Sequence, residues 1–240
     1  MAAERSACNP APFSQAQIQA AIDGRTVRTV DGVEVRLAGI ETPRDRGRAA
    51  LQALLSDRTV TLYRMGEQTD RYGRTVALLA LDGAPTAQSV QTALLEQGSA
   101  RVSAKKIGDS ACAATLWAAE QKARNAGLGL WADPHYVMRR AEDPAGILAV
   151  RGEFAVVEGK VLSVRESGGT IYVNFGRRFA EDFTVTVPRR LDRKFSAAGM
   201  TLKKLTGQHV RVRGTIEERG GPWIEAAHPE QIEIAERGHE

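Results

Sequence analysis

The sequence predicts a β-rich α+β protein built as two small domains. Short β-branched runs separated by turn dipeptides recur along the chain. Segments with helical spacing are interleaved with these runs, three in the first set and one in the second, and a proline-bearing, aperiodic stretch divides the two sets. With 240 residues and 42% hydrophobic content, the chain can fill two modest cores.

In chain order, residues 1–19 read as an N-terminal tail with a Gln/Ala-rich lead-in. TVRTV, VEVRLAGI, TVTLYRM and TVALLAL then read as strands, with VDGV and LDGA as their turns. Helices are expected in RGRAALQALLSD, in APTAQSVQTALLEQGSA and in DSACAATLWAAEQKARNAG. The last has Asp109 or Ser110 as its cap and Gly127 as its stop. These elements place the first domain at 20–133. Prolines at 134 and 144 and the lack of any period make 134–149 a linker. Beyond it lie FAVVEGKVLSVRES, GTIYVNFG, DFTVTVP, HVRVRGTIEER and PWIEA, with a helix near RKFSAAGMTLKKLTG between the third and fourth. Five strands in that order describe a small OB-like barrel over 150–236.

Composition narrows the function. No apolar run approaches the roughly 20 residues that cross a bilayer, so no membrane span is expected. MAAERSACNPAPF lacks the apolar core of a signal peptide, which leaves a cytosolic protein or one whose signal has been removed. The net charge of +4 comes from 26 arginines and seven lysines, and arginine is the better fork for phosphate oxygens. Residues 1–140 hold 18 basic and 14 acidic side chains, whereas 141–240 hold 15 of each, so the mild basic excess lies in the first part. It is compatible with a polyanion partner.

Cys8 and Cys112 have neither CxxC spacing nor a neighbouring histidine, which argues against zinc and thiol-redox roles. They read as two buried thiols or as one disulfide. His135, His209, His228 and His239 are scattered and pair with no nucleophile. Trp117 and Trp131 read as core. Tyr172 and Phe175 interleave with Arg177 and Arg178 as on sheets that bind single strands, although strand alternation sends one of these aromatics inward.

DGRT, VRLAGIETP and DRYGR, followed in order by LLEQGSARV and AAEQKARNAGLGLW, resemble the thermonuclease, or staphylococcal-nuclease-like, family across about residues 20–132. VEGKVLSV, NFGRRFAEDFTVTVP and GQHVRVRGTI resemble the OB-like domain that follows the nuclease domain in some bacterial exported relatives. The resemblance implies an OB-type barrel with appended helices, cleavage of DNA or RNA with one calcium ion in active members, and a periplasmic or secreted location. It also favours the disulfide between Cys8 and Cys112.

Phosphodiester hydrolysis needs a positioned water, a base for its proton, and positive charge on the pentacoordinate phosphate. Carried over position by position, the two phosphate-gripping arginines are Arg36 and Arg74, and the acidic calcium ligand before Thr-Pro is Glu41. The family's DGDT is DGRT here, placing Arg25 where a calcium-ligating aspartate stands. Its TPE is TPR, placing Arg44 where the catalytic glutamate stands. Asp23 and Asp45 are close in sequence, but neighbouring positions on a strand or tight turn point elsewhere. Exchanging an anion for a cation beside a divalent ion shifts the interaction by several kcal/mol even at an effective dielectric of about 20. Calcium-dependent cleavage in the family manner is therefore expected to be weak or absent.

Three functions stay open at this point. Arg25, Arg36, Arg44 and Arg74 could converge as a metal-free pocket for nucleic acid or another phosphate-bearing anion. The chain could be an active phosphodiesterase with altered ligands, in which case calcium is its cofactor. It could also be an envelope scaffold with a protein partner, in which Arg25 and Arg44 are neutral changes on a solvated turn.

Overall fold

A computed structural model describes residues 8–43, 46–103, 110–178 and 180–235, and the chain falls into two units, Met1–Pro134 and His135–Glu240. In the first unit β1 (Pro12–Asp23), β2 (Thr26–Thr29) and β3 (Glu34–Leu37) are followed by a short β4 (Ile40–Glu41) and by α1 (Gly47–Leu55). Then come β5 (Thr59–Thr69), β6 (Thr75–Leu81), α2 (Val90–Glu96), β7 (Arg101–Val102) and α3 (Ser110–Asn125). Five of the strands close a barrel in the order β1-β2-β3-β6-β5, in which β3 and β6 run parallel and the other neighbours antiparallel. That arrangement is consistent with an OB-type barrel. β4 pairs with β7 outside the barrel.

Residues 12–19, which the sequence places in the tail, belong instead to β1. Their signal is missing because Pro12–Gln15 is exposed, so apolar alternation begins only near Ile18. Backbone pairing with β5, from Pro12 opposite Tyr63 to Gln17 opposite Thr59, holds the segment in place. Just before it, Cys8 is joined to Cys112 of α3 by a disulfide, and both cysteines are buried.

The helices bury one stripe each. Leu51 and Leu55 of α1, Leu94 and Leu95 of α2, and Leu116 of α3 join the barrel core. The second helix is shorter than its sequence pattern implies. Pro85 and Ser89 are extended, and the Ser89 hydroxyl accepts from the Thr92 amide at 3.2 Å, so the helix starts at Val90. α3 stops as expected before Gly127, which adopts φ +59°. Asp109, one of its two expected caps, lies outside the described residues.

The second unit contains β8 (Arg139–Arg140), α4 (Pro144–Leu148), β9 (Phe154–Lys160), β10 (Ser163–Ser167), β11 (Thr170–Asn174) and β12 (Thr184–Pro188). α5 (Asp192–Ala197), β13 (His209–Thr215), β14 (Glu217–Arg219), β15 (Gly221–Glu225) and β16 (Ile232–Ile234) follow. One sheet runs β10-β11-β12-β15-β14 and another β16-β13-β9-β8, with a shared core that includes Phe183, Phe195 and Val212. The stretch expected as a linker is largely built in. β8 pairs with β9, Asp143 caps α4 by accepting from the Gly146 amide at 2.9 Å, and Ile147 is fully buried. Elements of two and five residues are too short to generate a period, which is why the sequence hides them.

Candidate functional site

The candidate site begins with the turn between β1 and β2. Asp23 pairs with Thr26 across a two-residue loop of Gly24 and Arg25. The Asp23 carboxylate accepts from the Arg25 amide at 2.8 Å and from the Thr26 hydroxyl at 3.0 Å, an Asx-type closure of the turn. Gly24 is required by crowding. A Cβ there would lie 2.2 Å from the Thr42 hydroxyl oxygen and 2.8 Å from the Cα of Gly47. The DGRT turn is thus packed against the residue that follows Glu41 and against the first residue of α1.

This packing brings Arg25 to Glu41. The Arg25 guanidinium forms an ion pair with the Glu41 carboxylate and also donates to the Ile40 carbonyl at 3.3 Å. Arg36, opposite Thr26 in the β2–β3 pair, donates to the Thr26 hydroxyl at 3.3 Å. A hydrogen-bonded series therefore runs from Arg36 through Thr26 to Asp23. Among the described residues Arg36 has no ion-pair partner. Burial is the main influence lowering its pKa from the ordinary arginine value, and the nearby cations Arg25 and Arg74 add to it, partly offset by Glu41 and Asp23. It remains a cation at neutral pH.

Arg74 enters from the β5–β6 loop. Asp70 organises that loop by accepting from the amides of Tyr72 at 2.9 Å and Arg74 at 3.1 Å, while its other oxygen accepts from Arg74 Nε at 2.8 Å. Gly73 takes φ +76°, the left-handed geometry the tight loop requires. Burial pushes the Asp70 carboxyl up, but the Arg74 side chain and the two amides outweigh it and hold the carboxyl below the usual range. Tyr72 does not pack into the loop: it is 66% exposed, with the guanidinium carbons of Arg71 and Arg74 at 4.7 and 5.1 Å from its ring centroid.

Arg25, Arg36, Glu41 and Arg74 line one cleft of about 660 Å³, together with Asp70 and Arg71. Four arginines thus face two carboxylates, and each carboxylate already holds an arginine. Arg44, the remaining member of the expected pocket, lies outside the described residues, as does Asp45. Sequence reasoning did not single out Arg71, although its place beside Arg74 in DRYGR offered a signal.

Calcium takes 6–8 oxygen ligands, and among the described residues the carboxylates lining the cleft are those of Glu41 and Asp70. Among the described residues no group of three or more His, Cys, Asp or Glu is placed to hold a metal, and Glu41 is ion-paired to Arg25.

Elsewhere, Trp131 is buried as expected and Trp117 packs against the barrel core. Phe175 turns inward onto Phe183, with centroids 4.9 Å apart, whereas Tyr172 meets Trp223 edge to face at 6.1 Å. Arg178 is ion-paired with Glu181 at 2.7 Å.

The five-stranded, OB-type barrel carries an arginine-rich cleft that also holds the carboxylates of Glu41 and Asp70. The model of the staphylococcal nuclease homologues matches residues 34–133. The chain is also 31% identical over 140 residues to Protein ParB of Escherichia coli, a match covering 49% of this chain and 77% of that protein. The chain belongs to the staphylococcal nuclease homologue family. Arg36, Glu41 and Arg74 fall inside the matched stretch, and Arg25 precedes it. No described helix is long and apolar enough to cross a membrane.

Proposed function

We propose that the first unit binds a phosphate-bearing polyanion, nucleic acid foremost, in the Arg25–Arg36–Arg74 cleft without a metal ion, and that calcium-dependent hydrolysis in the family manner is weak or absent. The observation that carries this reading is the ion pair between Arg25 and Glu41. A cation belonging to the chain itself neutralises the carboxylate that a divalent ion would need. Arg74 is likewise committed to Asp70, which leaves half-buried Arg36 as a cation without a carboxylate of its own. Anion binding relieves the mutual repulsion of these guanidiniums. Arg44, placed by sequence at the catalytic glutamate position, adds a further cation to the same reading.

Family membership and the retention of Arg36, Glu41 and Arg74 favour a second reading, an active phosphodiesterase with altered ligands. Incubation of plasmid DNA and of RNA with the purified protein, with calcium and with chelator, separates the two. The proposal expects neither condition to degrade either polymer beyond background, while a gel-shift with chelator present shows binding. Calcium-dependent degradation that disappears with Glu41→Gln supports the enzyme instead.

Two further assignments accompany this reading. The Cys8–Cys112 disulfide supports an oxidising compartment, periplasmic or secreted. An OB-like second unit is supported by its strand pairing: β10-β11-β12 antiparallel, β12 and β15 parallel, β15 and β14 antiparallel, and β13 paired with β9.

A further inference from the structure

We infer that the second unit carries its own phosphate-binding cleft, formed by Arg189, Arg190 and Arg193, and that its ligand is a single-stranded nucleic acid. The cleft, of about 540 Å³, is lined by these three arginines with Gly169 and Pro188, and no acidic residue lines it. It lies at one end of the five-stranded sheet. Gly168 and Gly169 form the β10–β11 turn with φ +55° and +77°, the double positive φ of a type I′ hairpin. Nothing lies within 4 Å of where a Cβ on Gly169 would stand, so the turn leaves the cleft open.

The chain then concentrates like charge beside that opening. β12 ends at Pro188, the Arg189 amide donates to the Gly169 carbonyl at 2.9 Å, and the backbone coils at once through 189–191 into α5. On a coil of that kind residues three and four apart are neighbours, so Arg193 stands beside both Arg189 and Arg190. Arg189 is paired with Glu166 at 2.7 Å. Arg190 and Arg193 are exposed and have no ion-pair partner among the described residues. Adjacent cations without a carboxylate between them repel, and a phosphate placed among them turns that repulsion into attraction.

The sheet indicates which phosphate-bearing ligand fits. Thr170 is opposite Pro188, and Tyr172 is opposite Thr186 on the same face, about 7 Å further along the strand. Tyr172 and Trp223 meet edge to face there, with the Arg219 guanidinium carbon 4.9 Å from the Trp223 ring centroid. Aromatic rings next to paired cations suit a strand whose bases are unstacked and whose phosphates follow at regular intervals. The sheet face itself is charge-balanced, since Arg165 and Arg219 share it with Glu217 and Glu225. The attraction for phosphate is therefore focused at the arginine end.

The test uses the full chain with chelator present and a fluorescein-labelled oligothymidylate, followed by anisotropy over a range of salt. Arg190→Ala with Arg193→Ala should weaken binding about tenfold or more and lower the salt slope by about 1.4, the value for two lost single-strand phosphate contacts. Tyr172→Ala should weaken binding while leaving the slope unchanged, because stacking releases no counterions. All of these changes are made on an Arg36→Ala background, where binding at the barrel cleft is weakened, so that the losses report the second unit's cleft. Unaltered affinity and slope in the double arginine variant would overturn the proposal. So would arginine-dependent capture by phosphatidylglycerol vesicles in place of the oligonucleotide, since that result assigns the cleft to a lipid headgroup.

Discussion

The guanidinium of Arg25 rests on the carboxylate of Glu41, and both side chains are largely withdrawn from solvent, at 23% and 18% exposure. Removing one partner leaves the other largely buried without its ion pair, which is costly in a way that losing a surface pair is not. Glu41→Gln should therefore release Arg25, sharpen the positive field of the cleft and raise affinity for inorganic phosphate, measurable by isothermal titration calorimetry without metal. A fall in phosphate affinity would show that Glu41 orders the site rather than competing with the ligand.

The converse substitution concerns calcium. Arg25→Asp together with Arg44→Glu exchanges two cations for two anions, one at the partner of Glu41 and one at the position that the sequence aligns with the family's glutamate. Calcium affinity should rise, and some calcium-dependent nuclease activity should appear and be lost again on Arg74→Ala. If calcium still fails to bind the double variant, as read by calorimetry, the cleft differs from the family's ion site in more than charge.

Asp70 gives a pH dependence with a defined sign. Its carboxyl is held below the usual range in the fold, so it titrates lower in the folded than in the unfolded chain. The stabilisation is complete above the unfolded value of about 3.9 and is lost as pH falls through the lower folded value. Asp70→Asn should destabilise the first unit by about 1–3 kcal/mol at neutral pH, because three hydrogen bonds to a charged acceptor are weakened. The gap between the two proteins in urea unfolding should narrow below about pH 4. A gap that stays constant down to pH 2 would contradict the assignment.

The disulfide between Cys8 and Cys112 spans 104 residues, from the segment ahead of β1 to α3. In the chain-entropy model a loop of about that length contributes up to about 4.7 kcal/mol. Replacing both cysteines with serine should lower the unfolding midpoint markedly, and thiol titration of the denatured, unreduced protein should find no free thiol. Two reactive thiols per chain would contradict the bond.

Each unit has its own buried core, so fragments 1–134 and 135–240 should each fold, with a cooperative urea transition for each. Limited proteolysis of the whole chain should cut first near the boundary at Pro134 and His135. First cuts within 140–149 would show that β8 and α4 are not held to the second unit.

The sequence made some parts of this protein legible and hid others for physical reasons. The barrel strands announced themselves by β-branched runs and DG turns, and α3 by its long period and terminal Gly127. β1 was hidden because much of it is polar and solvent-facing, and β8 and α4 because they are too short to repeat. At the site, DGRT, ETP and DRYGR named Arg25, Glu41 and Arg74, but not the contacts they make. The pairing of Arg25 with Glu41 depends on Gly24 meeting Thr42 and Gly47, a close approach between segments that composition and spacing cannot express. The capture of Arg74 by Asp70 is more local and follows from five adjacent residues.

If the barrel cleft grips phosphate with arginines and needs no metal, binding survives chelation and depends on Arg36. The most direct test is the affinity of fragment 1–134 for a labelled single-stranded oligonucleotide, measured by anisotropy in chelator and again in calcium, for the unmodified sequence and for Arg36→Ala. Affinity should be the same in both solutions, apart from ionic-strength effects, and should fall about tenfold or more on removing Arg36. Binding that requires calcium, or that is indifferent to Arg36, would contradict the proposal.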